Sequence, residues 1–233
     1  MSIAYNTSIV RDGLVLHLDA ANVKSYPGSG TTWYDLIQKI PFTINGNPTH
    51  DGTSFLLDGD TDYMYSTGFP DISISSHTYL VFCKPTSITR RHYVLDARYN
   101  EPGNNASNSG MGFDADNTLF NFLHTPSGVD ETGGPGGYVA NVPYCIGIRR
   151  QPNANSIEIL SADSTSWISP SLNSNTAGTE NVNLNGVIIG NYASPSNSYT
   201  FVGNIYSVLM YNRYISDSEY SQNLEALRGR YGI

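Results

Sequence analysis

Carboxylates are the first groups in this chain that could do chemistry. Asp58, Asp60 and Asp62 crowd a single turn within Phe55 to Tyr63 (FLLDGDTDY). Acidic side chains at alternate positions suit a hard cation, and Ca2+ is the ion such a set would take. The spacing is not that of an EF-hand, because Tyr63 stands where that loop needs Gly and Phe69 occupies its last ligand position. The competing expectation is that these carboxylates stabilise their own turn through Asx hydrogen bonds. Asp114 and Asp116 form a second pair, but with Ala115 and Asn117 they spell a hairpin turn. Glu158 stands alone within an apolar run, while Glu101 and Glu131 fall in stretches that read as loops. Glycoside hydrolysis needs two positioned carboxylates, about 5–5.5 Å apart for retention or about 6.5–9.5 Å for inversion. No such pair is evident in the sequence.

Aromatic rings beside amides are the second candidate chemistry, since ring faces stack on sugars and amides bond their hydroxyls. Trp33, Tyr99, Asn105, Tyr138, Trp167 and Tyr192 are the candidate carbohydrate-binding residues, within a wider set that includes Tyr26, Asn104, Asn191 and Tyr199. Trp33 and Trp167 read equally as half-buried lids, and aromatic loops also serve protein interfaces. Nucleophilic chemistry has no anchor, because no Gly-x-Ser-x-Gly elbow is present. The Gly-Gly-Pro-Gly-Gly run at 133–137 follows no strand-to-helix switch, so it reads as a loop and not a phosphate cradle. Cys83 and Cys145 sit in apolar strand-like runs and read as buried thiols, with a disulfide open only if those strands are neighbours. The five histidines are scattered, with no zinc-like spacing.

The elements that must position these residues are strands. Among 233 residues only 14% are charged and 17 are Tyr, a composition suited to pleated strands and tight turns. The net charge of −8, from 12 basic and 20 acidic residues, argues against nucleic acid and against an anionic membrane. No apolar run of membrane-spanning length occurs, and Met1 to Asn6 lacks a basic-then-apolar export signal, so synthesis in a cytoplasm is expected.

Strands are expected at Leu14 to Leu18, Ser54 to Leu57, Tyr63 to Ser66, His77 to Lys84, His92 to Ala97, Met111 to Phe113, Thr118 to Leu123, Tyr144 to Arg149, Ser156 to Leu160, Val187 to Gly190 and Tyr199 to Tyr211. Loops are expected at 22–32, 100–110, 127–137 and 169–185. One helix is expected, at the C-terminus. Ser216 to Glu219 is a capping box, and Tyr220, Leu224, Leu227 and Tyr231 make an apolar stripe ending near Gly232. The expected architecture is all-β: one two-sheet antiparallel jelly-roll sandwich over 12–233, with this short helix and an N-terminal arm over 1–11.

Four blocks carry a resemblance: Gly13 to Asn22 with Tyr26 to Leu36; Phe55 to Tyr63; His77 to Pro85; and Phe201 to Tyr214 (FVGNIYSVLMYNRY) with the helix to Tyr231. Together they resemble the concanavalin A-like lectin/glucanase superfamily, in the laminin-G-like form found in structural proteins of tailed bacteriophages. The resemblance spans nearly the whole chain, and the closing G-x-I…Y-N-R…S-x-x-E block is its most specific part. Hydrolases of that superfamily present Glu-x-Asp-x-x-Glu on one strand, and this chain lacks the motif. The resemblance therefore implies a protein that is not an enzyme: a virion component decorating capsid or tail and adhering to host-surface glycans. Its expected partners are other virion proteins, met through the N-terminal arm, and a second copy of itself in a homo-oligomer. The alternative is a carbohydrate-binding lectin module of a bacterial surface protein; a third reading is a glycoside hydrolase.

Overall fold

The runs His77 to Pro85 and Tyr144 to Arg150 are apolar on both faces, and such strands must be covered from both sides. The computed structural model describes residues 8–68, 72–74, 76–97, 108–125, 128–151, 156–163, 167–174, 182–184, 186–192 and 198–233. In chain order the strands are β1 (Leu14–Asp19), β2 (Thr32–Tyr34), β3 (Pro41–Asn45), β4 (Thr49–His50), β5 (Phe55–Asp58) and β6 (Tyr63–Ser66). They continue with β7 (Ile72–Ile74), β8 (His77–Pro85), β9 (His92–Asp96), β10 (Asn108–Phe113), β11 (Thr118–Thr125) and β12 (Gly128–Gly136). The rest are β13 (Tyr144–Arg150), β14 (Ser156–Ala162), β15 (Trp167–Ser174), β16 (Val182–Leu184), β17 (Val187–Ile189) and β18 (Val202–Tyr211), followed by the helix α1 (Asp217–Tyr231).

Two large antiparallel sheets result. The first runs β15-β14-β13-β8-β18-β5-β4, with β1 beside β18; the second runs β12-β11-β10-β9-β17-β6-β3-β2. The core between them holds Leu16, Phe42, Phe55, Val81, Leu95, Met111, Ile146, Ile189 and Val208. The other face of the first sheet carries Leu80, Phe82, Cys145, Leu160 and Leu209, and α1 covers it with Tyr220, Leu224, Leu227 and Tyr231. Each buried side chain of that stripe contributes about 1.5–3 kcal/mol. Cys145 pairs in register with Phe82, and Tyr144 with Cys83, so the two thiols lie on opposite faces of the sheet and both are free.

Several polar groups lock α1 in place. Ser216 Oγ accepts from the Glu219 N–H while the Glu219 carboxylate accepts from the Ser216 N–H, the expected capping box, and Gly232 ends the helix in the left-handed region. Arg149 is buried between Glu158 at 2.7 Å and Asp217 at 2.6 Å, and it donates to the Ile215 carbonyl at 2.9 Å. Glu158 is thus a structural partner of a buried arginine. Asn223, fully buried on α1, accepts through Oδ1 from the Val10 N–H at 2.9 Å and the Tyr211 hydroxyl at 3.1 Å.

The arm expected over 1–11 is described only from Ser8 onward. Residues 1–7 lie outside the described residues, whereas Val10 is buried against α1 and the Ser8 carbonyl accepts from Gln222. The loop expected at 127–137 is instead β12, paired with β11. Its Gly and Pro content misleads because it is an edge strand: a register shift between Thr118 and Phe120 accommodates the Gly-Pro stretch, and an edge tolerates a missing N–H. The stretch expected as a loop at 169–185 contributes most of β15 and all of β16. Short strands β2, β3 and β4 carry no alternation long enough to read.

Buried histidines make stability depend on acid. His77 is wholly buried, bonds Ser109 Oγ at 3.0 Å, and is pushed down to about 3 from 6.5 by burial first and then by the Arg150 charge. Burial also lowers His17 and His92. Above pH 6.5 neither folded nor unfolded His77 is charged. Below it only the unfolded chain takes the proton, so stability present above 6.5 is lost as pH falls toward 3. Between pH 6.5 and 5, before carboxylates titrate, His77 alone should cost about 2 kcal/mol. Urea unfolding across that window should show the loss, and H77Q should reduce it, His17 and His92 supplying the remainder; an unchanged slope in the variant would refute the assignment.

Candidate functional site

Because α1 covers the first sheet, the second sheet has the outer face on which a site can be built. Alternation decides what stands there. On β11, Leu119 and Leu123 face the core, so Phe120, Phe122 and His124 face outward. Register sets Gly112 opposite Phe120 and Gly110 opposite Phe122 on β10, and Gly112 opposite Tyr93 on β9. The glycines make room for the rings. A Cβ on Gly110 would lie 2.4 Å from Phe122 Cζ, and one on Gly112 would lie 1.9 Å from the His92 carbonyl oxygen and 2.7 Å from Phe120 Cε1.

The rings collect around Tyr93. Phe120 lies 4.9 Å from it centroid to centroid, Tyr192 5.0 Å, Tyr199 5.5 Å and Phe122 5.7 Å, mostly in edge-on or tilted geometry. Phe120, Phe122 and Tyr93 form the buried floor, Tyr192 is half-buried, and Tyr199 is exposed at 39%. Across the same face, two strands and about 10 Å further on, Tyr63 and Tyr65 stand 5.9 Å apart and half-buried on β6. Met64 between them faces the core.

Charge frames one side of this floor. The Arg91 guanidinium lies 4.5 Å over the Phe120 ring and pairs with both Asp114 and Glu131. Burial pushes the Asp114 carboxyl up, but the Arg91 hydrogen bonds and the Ala115 N–H outweigh it and hold it below the usual range. Burial, followed by the Glu131 carboxylate, holds the Tyr93 hydroxyl well above its ordinary value, so the phenol stays protonated. The face thus offers aromatic surface, hydroxyls, and a guanidinium fixed between carboxylates.

The expected binding residues scatter. Trp33 is fully buried, 5.0 Å from Phe55, because β2 turns it inward beside Phe42; it is core and not a stacking platform. Tyr138 is also interior, 5.4 Å from Phe113 and 5.1 Å from Tyr144. Trp167 begins β15 at the edge of the first sheet. Tyr99 and Asn105 lie outside the described residues. Of these six, Tyr192 joins the aromatic cluster. Tyr93, Phe120, Phe122, Tyr65 and Arg91 were missed, although Phe120, Phe122 and His124 at alternate positions opposite Gly110 and Gly112 were a legible signal.

The calcium expectation does not fit the aspartate turn. Asp58 Oδ1 accepts from the N–H groups of Asp60, Thr61 and Asp62, and the buried Asp62 accepts from Asn47 and Asp58. Among the described residues no three acidic, His or Cys side chains converge to hold a metal ion. Asp114 and Asp116 likewise serve their hairpin: Asp116 accepts from the Thr118 N–H at 3.1 Å, and Asn117 takes a positive φ of 63°.

No protein-family model matches this chain, and no curated protein matches it in sequence. Solved structures match in fold. Trypanosoma rangeli sialidase in complex with 2,3-difluorosialic acid superposes with a TM-score of 0.66 at 14% identity, over 95% of this chain and 34% of that one. The same enzyme with the inhibitor DANA gives 0.64 at 14%, over 97% and 34%. The binding domain of botulinum neurotoxin DC in complex with SialylT gives 0.62 at 11%, over 91% and 50%. The chain spans about a third of the length of the sialidases it matches. At these identities the likeness is one of fold, a two-sheet β-sandwich. It overturns the expectation that the chain is not an enzyme, because that fold occurs across nearly its whole length within enzymes.

Changing Gly112 to Ala should therefore break the face from beneath. The new methyl meets backbone as well as the Phe120 ring, and overpacking of this kind costs about 1–3 kcal/mol. Denaturant melts should show it, while Gly133→Ala, with nothing within 4 Å of its Cβ position, should pass without a comparable loss.

Proposed function

We propose that the chain is a carbohydrate-binding, lectin-like module whose glycan lies on the outer face of the second sheet. The observation that carries this reading is the aromatic floor of Tyr93, Phe120 and Phe122 with Tyr192 and Tyr199 at its rim, on the sheet that α1 leaves uncovered. Sugar rings stack on such faces through C–H groups, while phenol hydroxyls and the Arg91–Asp114–Glu131 cluster supply donors and acceptors. The sialidases and the neurotoxin binding domain that share the fold were solved with sialic-acid analogues, inhibitor or SialylT, which supports a glycan as the ligand class. A glycan array probed with the full chain should give selective hits. Tyr199→Ala and Tyr65→Ala should each weaken the best hit about five- to tenfold with an unchanged melting temperature. Hits that survive both substitutions would place the glycan elsewhere.

The resemblance of the closing block to structural proteins of tailed phages supports a second, compatible reading, in which a virion displays the module. On that reading the chain co-purifies with particles in fixed stoichiometry. Deleting residues 1–7, which spares the Val10 contacts with α1, removes it from particles but leaves the fold intact. Purified virions without the chain would end this reading.

A further inference from the structure

Beside α1 lies a hollow that the glycan face does not use. β1 is an edge strand, paired on one side by β18. The turn after β2 shields its other edge: Asp35 Oδ1 accepts from the His17 N–H at 2.7 Å, and the Leu36 N–H donates to the His17 carbonyl. In register His17 pairs with Leu209, which belongs to the core under α1, so the imidazole faces the helix side of the sheet. There the chain leaves a cavity of about 330 Å³ between β1, this turn, Ser8 to Arg11 and the second half of α1.

Its chemistry is one-sided. His17 is 8% exposed, and its Nε2 is buried with no hydrogen-bond partner. Arg11 is exposed at the mouth, with no partner for its guanidinium among the described residues. Arg230, also in the lining, is already paired with Asp19 at 2.6 Å, and Tyr231 donates to Asp19 as well. Two cationic side chains thus face one neutralised carboxylate, on a protein whose net charge is −8. Leu36, Ile37 and Leu227 form an apolar patch of the wall, with the polar Ser8 and Asn22 beside it.

We infer that this cavity binds a small carboxylate with a short apolar body. The carboxylate pairs with the Arg11 guanidinium beside the His17 imidazole, and the body lies on Leu36, Ile37 and Leu227. A charge-assisted pair of this kind, with an apolar pocket behind it, is the usual economy of small-ligand sites. The groups facing the imidazole set its titration: burial lowers it most, Asp19 and Asp35 raise it, and Arg230 and Arg11 lower it further. A bound carboxylate adds a negative charge on the unpaired side and raises the His17 midpoint.

Hexanoate is the probe, with hexanol and inorganic phosphate as controls, titrated into the full chain while the His17 ring resonances are followed by NMR. Hexanoate should give saturable shifts and raise the His17 titration midpoint. Arg11→Gln, at an exposed position, should weaken it about tenfold. Ala226→Phe, which fills the hollow from α1, should abolish binding. Hexanol binding as tightly as hexanoate, phosphate binding as tightly, shifts that do not saturate, or affinity untouched by both variants would each overturn the assignment. None of these outcomes bears on the glycan face, so the two readings stand or fall separately.

Discussion

The first sheet has to be buried on both faces, and most of the structure follows from that demand. Val81, Cys83, Ile146 and Val208 point into the sandwich, while Leu80, Phe82, Cys145 and Leu209 point away from it. The second sheet covers one side. The other is covered by α1, so the helix must be held firmly. Its start is fixed by the capping box and by Arg149 between Glu158 and Asp217, its middle by Asn223 against Val10 and Tyr211, and its end by Arg230 and Tyr231 on Asp19. The Tyr211–Asn212–Arg213 segment that looked most family-specific belongs to this latch: the Asn212 N–H donates to the Gly13 carbonyl, and Arg213 pairs with Glu219 at 2.5 Å.

Among the described residues one helix is present, and its place on the first sheet leaves the outer face of the second free of it. That face is apolar in a particular way. Its large side chains are aromatic, and they rest over glycines instead of interdigitating with a third layer. The rings of this floor meet one another in edge-on and tilted contacts. The floor still presents flat surface and phenol hydroxyls at its rim. The same economy explains the acidic residues. Asp35, Asp58, Asp62, Asp116 and Glu158, which invite thoughts of catalysis or metal binding, serve backbone N–H groups or a buried arginine.

Polar residues inside the sandwich are fewer and are mostly matched. Ser109 joins His77 at 3.0 Å and Tyr79 at 3.1 Å across the two sheets, a link that fixes how β10 lies over β8. Such links specify one packing of two otherwise interchangeable apolar surfaces, at the cost of sensitivity to acid where a histidine is involved.

By itself the sequence determined the class of fold, the central strands and the helix with both of its ends, because each depends on local signals. Two-faced apolar runs mark central strands. The Ser216–Glu219 box and the stripe from Tyr220 to Tyr231 mark a capped amphipathic helix. Strand pairing lay beyond it. Only the tertiary structure decided that the Gly-rich stretch before Tyr138 is an edge strand, that Trp33 and Tyr138 are core, and that Tyr93, Phe120, Phe122 and Tyr192 share one face. The physical reason is that a side chain's exposure in a sheet is set by register with strands far away in the chain. Shifting a strand by one residue exchanges its buried and outward sets, and no local pattern records which partner it will meet.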